Sequence, residues 1–206
     1  MFIFIISGLF AYLFGAFNAA YWFGKWFHQI DIRQHGSKNA GATNLLRVVG
    51  WKTALPAFLF DAAKSFAAVK LAYFQNSFEP QSEAFVIWQI SLGVIAVFGH
   101  IFPVFSGFKG GKGVASLLGM IIALHPLAAL SAFGIFVISL VITRIVSISS
   151  MLAGISFPII FYLLFYENQN SLLIFSLFAA LLLLISHKKN IKRLLNGEEK
   201  HISFKS

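Results

Sequence analysis

Apolar segments, most of them close to 20 residues long, follow one another along nearly the whole chain, and this feature leaves few folds open. A bilayer core about 30 Å thick needs about 20 apolar residues per helix, and a backbone in lipid must satisfy its own polar groups. With 58% hydrophobic and 11% charged residues, the chain is far more apolar than a soluble domain. We predict an all-α, polytopic integral membrane protein with about seven transmembrane helices, at residues 2–24, 52–75, 84–105, 114–124, 127–142, 146–166 and 171–186.

The fourth segment is short, and residues 114–142 allow one long helix instead, which would reduce the number of spans to six. His125 and Pro126 in the middle of that stretch disfavour a continuous helix. With seven spans and the N-terminus outside, fourteen of the sixteen Lys and Arg residues lie on the inner side, and the outer loops hold none. The charge distribution therefore favours seven spans, an outer N-terminus and a cytoplasmic C-terminus.

Composition restricts the organisation and the chemistry further. No linker or low-complexity tract divides the sequence, so we expect one domain over residues 1–206. The first apolar segment lacks a basic leader and a cleavage site, and we expect it to be retained as a span. The absence of cysteine excludes disulfides, thiolate metal sites and thiol nucleophiles. The net charge of +9 is dispersed over membrane-proximal loops, which favours anionic lipid heads or phosphorylated substrates over nucleic acid.

The first polar segment, residues 35–47, is dense in small residues, amides and hydroxyls, and it precedes an apolar run. We expect Thr43 or Asn44 to cap the following helix, whose positive end would favour a phosphate. Arg47, one turn later, would add a bidentate donor. On this segment alone, ordinary helix capping is an equally good interpretation. The candidate substrate-binding residues are Ser37, Asn39, Thr43, Asn44 and Arg47.

The second polar segment, residues 99–113, interleaves glycines with two lysines, a composition typical of phosphate-binding nests. It is not a Walker A loop, because Gly107 is followed by too few residues before Gly111-Lys112 and Gly113 replaces the magnesium-binding hydroxyl. A flexible turn with inner-side lysines is the alternative. The candidates here are Lys109, Gly110, Gly111, Lys112 and Gly113, with the backbone amides of the glycines facing the phosphate.

Three other polar groups stand out. Asp61 and Lys64 share a helical face inside the second span, and we interpret them first as a structural ion pair. Ser147 and Ser150 share a face at the start of a helix that begins after Arg144, a pattern more typical of capping than of a site. The C-terminal tail places His187 and Asn190 on one face of a basic interfacial helix.

Four segments, GSKNAGATNLLR, GHIFPVFSGFKGGKGVAS, TRIVSISS and HKKNIKRLLNGEE, together resemble in order the motifs of the bacterial acyl-phosphate:glycerol-3-phosphate acyltransferase family (PlsY). The resemblance covers nearly the whole chain. It departs at Lys38, where the family usually has glycine, and at Ser116, where it commonly has threonine. A glycine at position 38 would allow a positive φ, so Lys38 bears on the conformation of the first loop.

The resemblance implies transfer of a fatty acyl group from a long-chain acyl phosphate to the sn-1 hydroxyl of glycerol 3-phosphate, at the cytoplasmic face of the bacterial inner membrane. The products would be lysophosphatidate and inorganic phosphate. In this hypothesis His187, Asn190 and Lys112 are catalytic, Ser150 completes the pocket with the loop residues above, and neither a metal nor a cofactor is needed. Either His187 or a substrate phosphate would accept the hydroxyl proton.

Two alternatives concern the acyl donor and the function itself. None of the six histidines has Asp five residues later, the spacing used by acyltransferases of the HxxxxD type, and acyl-CoA is therefore the less favoured donor. A membrane transporter of organic phosphates is the rival function, because glycine loops and broken helices also serve anion passage. Against it, the basic residues cluster on one side of the membrane.

Overall fold

The computed structural model of the chain describes residues 2–75, 77–80, 82–166 and 170–202, and within these the fold is all-helical. Lys205, one of the fourteen basic residues predicted on the inner side, lies outside the described residues. The described α-helices are α1 Phe2–Ala16, α2 Ala19–His28, α3 Ala42–Val49, α4 Trp51–Lys70, α5 Glu83–Ile101, α6 Val114–Leu124, α7 Pro126–Thr143, α8 Val146–Ile160, α9 Asn170–Ser186 and α10 Lys188–Leu195. Contacts divide the chain into an N-terminal unit ending at Leu124 and a C-terminal unit beginning at His125.

Helix lengths and hydropathy agree in part with the predicted spans. Three described helical segments are long and apolar enough to cross a membrane, namely Glu83–Ser106, Pro126–Thr143 and Val146–Phe165. Two bent pairs, α1 with α2 and α9 with α10, raise this number to five if each pair is one span. The count of seven spans and the orientation of the termini stay predictions.

The first predicted span is not continuous. Residues 17 and 18 separate α1 from α2, and the two helices differ in direction by 44°. Asn18 is the N-cap of α2, and its side-chain oxygen accepts a hydrogen bond from the Tyr21 amide. An apolar run hides this break, because only the capping chemistry of a single residue marks it. The break at His125-Pro126, in contrast, is confirmed, since α6 ends at Leu124 and α7 begins at Pro126.

Within the N-terminal unit, small residues allow close helix packing. Gly119 of α6 lies against the Ala62 backbone of α4, and Gly15 of α1 lies against the Ala96 backbone of α5, with no room for a Cβ at either glycine. Membrane helices commonly pack through such small residues. Many large apolar side chains of this unit are exposed, such as Leu9 on α1 and Leu59 on α4, each at 56% exposure, as expected of surfaces that face lipid.

Candidate functional site

The first polar loop is organised by the buried side chain of Asn44. Its amide nitrogen donates to the carbonyl oxygens of Ile32, at 2.8 Å, and His35, at 3.1 Å, while its oxygen accepts from the Ser37 amide at 2.7 Å. The prediction that Thr43 or Asn44 caps the helix is wrong, because α3 begins at Ala42 after Gly41, which makes no side-chain cap. Asn44 therefore shapes the loop that presents Ser37.

The other candidates of this loop surround that frame. Ser37, Asn39, Thr43 and Arg47 are all half-buried, and Thr43 and Arg47 lie one turn apart on α3. Ser37 and Asn39 lie on either side of Lys38, at the turn that precedes α3. The loop and α3 thus carry hydroxyl, amide and guanidinium groups around the buried Asn44 side chain.

Lys38 adopts a left-handed backbone conformation, with φ of 59°. This matches the expectation that a glycine at this position would take a positive φ. A non-glycine residue in this region is strained by about 1 kcal/mol. We predict that Lys38→Gly leaves the loop intact and changes the free energy of unfolding by less than about 1 kcal/mol, because relieved strain offsets the greater entropy of glycine in the unfolded chain.

Thermal unfolding in lipid and steady-state kinetics would check this prediction. A loss of the fold in Lys38→Gly, or a rise in KM like that of a phosphate-contact variant, would contradict it. Lys189→Gly, at an exposed position inside α10, is the comparison, and we expect it to destabilise by about 1 kcal/mol, as glycine does within helices.

The glycine-rich loop folds back onto the end of α5. The amides of Gly110 and Gly111 donate to the carbonyl oxygens of Ile101, at 3.1 Å, and His100, at 3.3 Å. The prediction that these two amides face a phosphate is therefore wrong, because both are engaged by the protein's own backbone. A Cβ at Gly110 would overlap the His100 carbonyl, and one at Gly111 would overlap the His100 ring. Close approach to α5 is what requires glycine here.

Beyond these two glycines the loop presents its lysines. Lys112 is half-buried and follows Gly111 directly, whereas Lys109 is exposed. Gly113 has a φ of 83°, a conformation that favours glycine, and α6 begins at the next residue. The backbone contacts to α5 thus fix the position from which Lys112 extends.

Arg33 joins the two polar loops, although no motif in the sequence indicates this role. Its Nη1 donates to the Ser106 carbonyl at 2.6 Å, its Nη2 pairs with Asp31 at 2.8 Å, and its guanidinium lies 4.2 Å from the centre of the Tyr21 ring. The hydrogen bond from Arg33 holds the pKa of Asp31 below its ordinary value, and the same contact raises the pKa of Arg33. Ser106 is far away in sequence, so no local pattern pairs it with Arg33. An open pocket of about 360 Å³ lies here, lined by Tyr21, Arg33, Phe105, Ser106, Gly107 and Lys109.

In the C-terminal unit, Glu199 gathers the polar side chains of the third and fourth motifs. Its Oε1 accepts from Asn190 Nδ2 at 2.6 Å and from Ser147 Oγ at 2.9 Å, and its Oε2 accepts from Arg193 Nε at 2.6 Å. Burial raises the pKa of Glu199, but the hydrogen bonds from Arg193, Asn190 and Ser147 outweigh it, so the pKa lies below its ordinary value. Glu199 was not predicted, although an acidic residue in a basic tail is a signal that could have marked it.

His187 is oriented by a backbone contact. Its Nδ1 lies 2.8 Å from the Leu183 carbonyl oxygen, an acceptor, so Nδ1 carries a hydrogen and donates it there. His187 and Ser150 are both buried. The serines of the third motif do not cap α8, whose N-cap is Ile145. The predicted site residues therefore belong to two units, and the single pocket expected from both sets stays a prediction.

Comparison with known proteins identifies the family. Residues 5–197 match the family model described as glycerol-3-phosphate acyltransferase. A glycerol-3-phosphate acyltransferase of Salinibacter ruber is 39% identical over 95% of this chain and 90% of its own length. A glycerol-3-phosphate acyltransferase of Thermoanaerobacter sp. (strain X514) is also 39% identical, over 98% of this chain and 97% of its own length.

Two crystal structures of PlsY (YgiH), an integral membrane glycerol 3-phosphate acyltransferase, have the same fold. The glycerol 3-phosphate form is 34% identical with a TM-score of 0.85, over 97% of this chain and 96% of that one. The lysophosphatidic acid form is 33% identical with a TM-score of 0.83, over 98% of this chain and 96% of that one. Sequence and fold thus agree along nearly the whole length, and this membrane-embedded chain belongs to the glycerol-3-phosphate acyltransferase family of PlsY.

Proposed function

We propose that this chain transfers a fatty acyl group from a long-chain acyl phosphate to the sn-1 hydroxyl of glycerol 3-phosphate, releasing lysophosphatidate and inorganic phosphate. The observation that carries the proposal is that the two solved relatives were obtained in a glycerol 3-phosphate form and a lysophosphatidic acid form, which name an acceptor and its acylated product. An organic-phosphate transporter is not favoured, because the matched proteins are named acyltransferases.

The chemistry of acyl phosphates and the absence of one sequence motif support an acyl phosphate as the donor. An acyl phosphate is a mixed anhydride with a good leaving group, so the protein mainly has to hold two phosphates and place a hydroxyl against a carbonyl. No histidine of the chain begins an HxxxxD motif. Cationic and hydroxyl groups on fixed loops suit an activated phosphate donor.

We assign the phosphate contacts to Ser37, Asn39, Thr43, Arg47 and Lys112, with Lys109 at the exposed edge. Asn44, Gly110 and Gly111 act by shaping the loops. In the C-terminal unit, His187 Nε2 accepts the hydrogen bond of the glycerol hydroxyl, and Asn190, held by Glu199, and Ser150 assist. The hydroxyl oxygen then attacks the acyl carbonyl carbon, the ester bond forms, the carbon–phosphate oxygen bond breaks, and the proton leaves through His187 or the departing phosphate.

Product analysis tests the reaction. Purified protein in lipid is incubated with palmitoyl phosphate and labelled glycerol 3-phosphate, with palmitoyl-CoA in parallel, and the position of the acyl group on the product is determined. We expect 1-acyl product and stoichiometric phosphate from the acyl phosphate alone. Product only from the thioester, or acylation at sn-2, would overturn the proposal.

Site variants test the residue roles. Removing a group that stabilises developing charge costs about 100-fold or more, and removing a proton acceptor costs about 100-fold to 10,000-fold. We therefore expect Lys112→Ala and His187→Ala each to lower kcat/KM by about 100-fold, whereas Lys189→Ala, at an exposed lysine of α10, stays near wild type. His187→Asn separates orientation from proton transfer, because it keeps a polar side chain without a basic nitrogen. Wild-type kinetics in folded Lys112→Ala and His187→Ala proteins would contradict the assignment.

We further propose that the reaction takes place at the cytoplasmic face of the bacterial inner membrane. The chain has no cysteine, so single cysteines can report topology directly. In intact cells a membrane-impermeant maleimide should label Glu79→Cys in the predicted outer loop and should label Lys189→Cys only after lysis. The opposite pattern would show an inverted orientation.

A further inference from the structure

A cluster of buried polar side chains lies inside the N-terminal unit, and none of its members is among the residues assigned to the substrates. It consists of Asn18, Asp61, Lys64 and His100, which are 0%, 1%, 7% and 3% exposed. Lys64 Nζ lies 2.7 Å from Asp61 Oδ1 and 3.1 Å from His100 Nδ1, and His100 Nδ1 lies 3.5 Å from the same carboxylate oxygen. Charged groups in a lipid-embedded bundle are expensive, and apolar residues could fill the same volume. Their presence needs a reason beyond packing.

The ion pair first satisfies the break between α1 and α2. Lys64 Nζ donates to the Phe17 carbonyl at 2.6 Å, and Asp61 Oδ1 accepts from the Ala19 amide at 3.3 Å. Both backbone groups flank Asn18, where the helix is interrupted. A broken helix in lipid must find such partners for its freed backbone groups. The pair thus fixes the geometry of the break from α4.

One arm of the cluster reaches the first polar loop. Asn18 uses its oxygen to cap α2, and its Nδ2 donates to the Ala40 carbonyl at 2.9 Å. Ala40 is buried and lies next to Asn39 in the turn that leads into α3. The side chain that marks the helix break therefore also holds the loop that carries Ser37 and Asn39.

A second arm reaches the glycine-rich loop. The ring of His100 contacts Lys64 through Nδ1, and its Nε2 edge packs against Gly111 so closely that a Cβ there would overlap it. The Gly111 amide also donates to the His100 carbonyl. Lys112 is the next residue, and its backbone position is set by this contact.

We propose that Asn18, Asp61, Lys64 and His100 are positioning residues that hold the two polar loops of the N-terminal unit at a fixed spacing. Two separable arms, Asn18 to Ala40 and His100 to Gly111, carry this function. The inference rests on the proposed function only in so far as the loops bind the substrate phosphates.

Hydrogen exchange tests the arms without any need for activity. Asn18→Ser keeps a capping oxygen but is too short to reach Ala40, and His100→Asn keeps a polar group near Nδ1 but removes the edge beneath Gly111. We expect Asn18→Ser to raise amide exchange by about tenfold or more in residues 36–44 and leave 108–113 unchanged, with the reverse for His100→Asn. Equal effects of both variants on both loops, or no effect of either, would overturn the proposal.

Double-mutant cycles test the consequence for catalysis, with KM measured for glycerol 3-phosphate and for palmitoyl phosphate. Same-arm pairs, Asn18→Ser with Ser37→Ala and His100→Asn with Lys112→Ala, should depart from multiplicative effects by about fivefold or more, whereas crossed pairs should agree within about twofold. Crossed coupling as large as same-arm coupling would mean that the cluster has only a general structural role.

Two controls keep stability apart from positioning. Ser65 lies beside Lys64, and its buried hydroxyl makes no hydrogen bond with the described residues. Ser65→Ala should therefore leave KM and the rates of amide hydrogen exchange unchanged. Leu92 is a fully buried residue of α5, and Leu92→Ala leaves a cavity there. This variant should lower the melting temperature without raising KM. A KM rise in Leu92→Ala equal to that in His100→Asn would sink the inference. Absence of product in the wild-type protein would count against the proposed function alone, because the exchange experiment would still report on the arms.

Discussion

Gly110→Ala is expected to lower kcat/KM by about 100-fold or more and to resist rescue, whereas Gly111→Ala is expected to be rescued by shortening one side chain. The Cβ of an alanine at position 110 would overlap the carbonyl oxygen of His100 and lie 2.7 Å from that of Ile101, and backbone atoms cannot move aside. At position 111 the three atoms nearest to the new Cβ all belong to the His100 ring, a side chain that can be shortened. A displacement of about 1 Å in a substrate-holding loop is enough for a loss of this size.

The measurement is steady-state turnover of both single variants, of His100→Ala and of each double variant. We expect Gly111→Ala/His100→Ala to be no less active than His100→Ala alone, and Gly110→Ala/His100→Ala to be no more active than Gly110→Ala alone. Gly134→Ala is the matched control, because nothing lies within 4 Å of its Cβ position and α7 continues through it. If Gly110→Ala kept normal turnover, the close packing of this loop on α5 would be wrong.

The second large effect is expected at Glu199, which we predict to be essential for the arrangement of the C-terminal unit. Glu199→Ala would leave Ser147, Asn190 and Arg193 without their shared acceptor. Losing hydrogen bonds to a buried charge costs about 2–3 kcal/mol of unfolding free energy, after allowance for the exposed part of the Arg193 side chain. Activity should fall together with stability, because Asn190 loses the contact that orients it.

The pH dependence of this effect has a definite sign. The pKa of folded Glu199 is lowered, so its stabilisation is complete above the pKa of the unfolded chain and is lost as pH falls through the folded value. The difference in melting temperature between wild type and Glu199→Gln should therefore be constant near neutrality and disappear in the acidic range below the ordinary pKa of glutamate. Glu198→Gln, at the exposed neighbour, should match the wild type throughout. A difference that grew on acidification would contradict the prediction.

The sequence alone determined those properties that depend on local composition and spacing. Apolar segments long enough to cross a bilayer specify an all-helical membrane protein. The helix before Pro126 ends because proline lacks an amide hydrogen. Asp61 and Lys64 are three residues apart on one helix, so the helical period alone predicts that they pair. In the structure Lys64 Nζ lies 2.7 Å from Asp61 Oδ1. The four motifs identified the family for the same reason, since each is a short contiguous segment.

Only the tertiary structure decided how residues distant in the chain use one another's polar atoms. From the sequence Asn44 could cap a helix, but in the structure its side chain donates to the Ile32 and His35 carbonyls and so holds the first polar loop in place. The sequence allowed the amides of Gly110 and Gly111 to bind a phosphate, but in the structure both donate hydrogen bonds to carbonyl oxygens at the end of α5. Arg33 and Glu199 acquire their roles from partners on other segments. A hydrogen bond depends on two positions in space, and local spacing specifies the second one only within a single helix or turn.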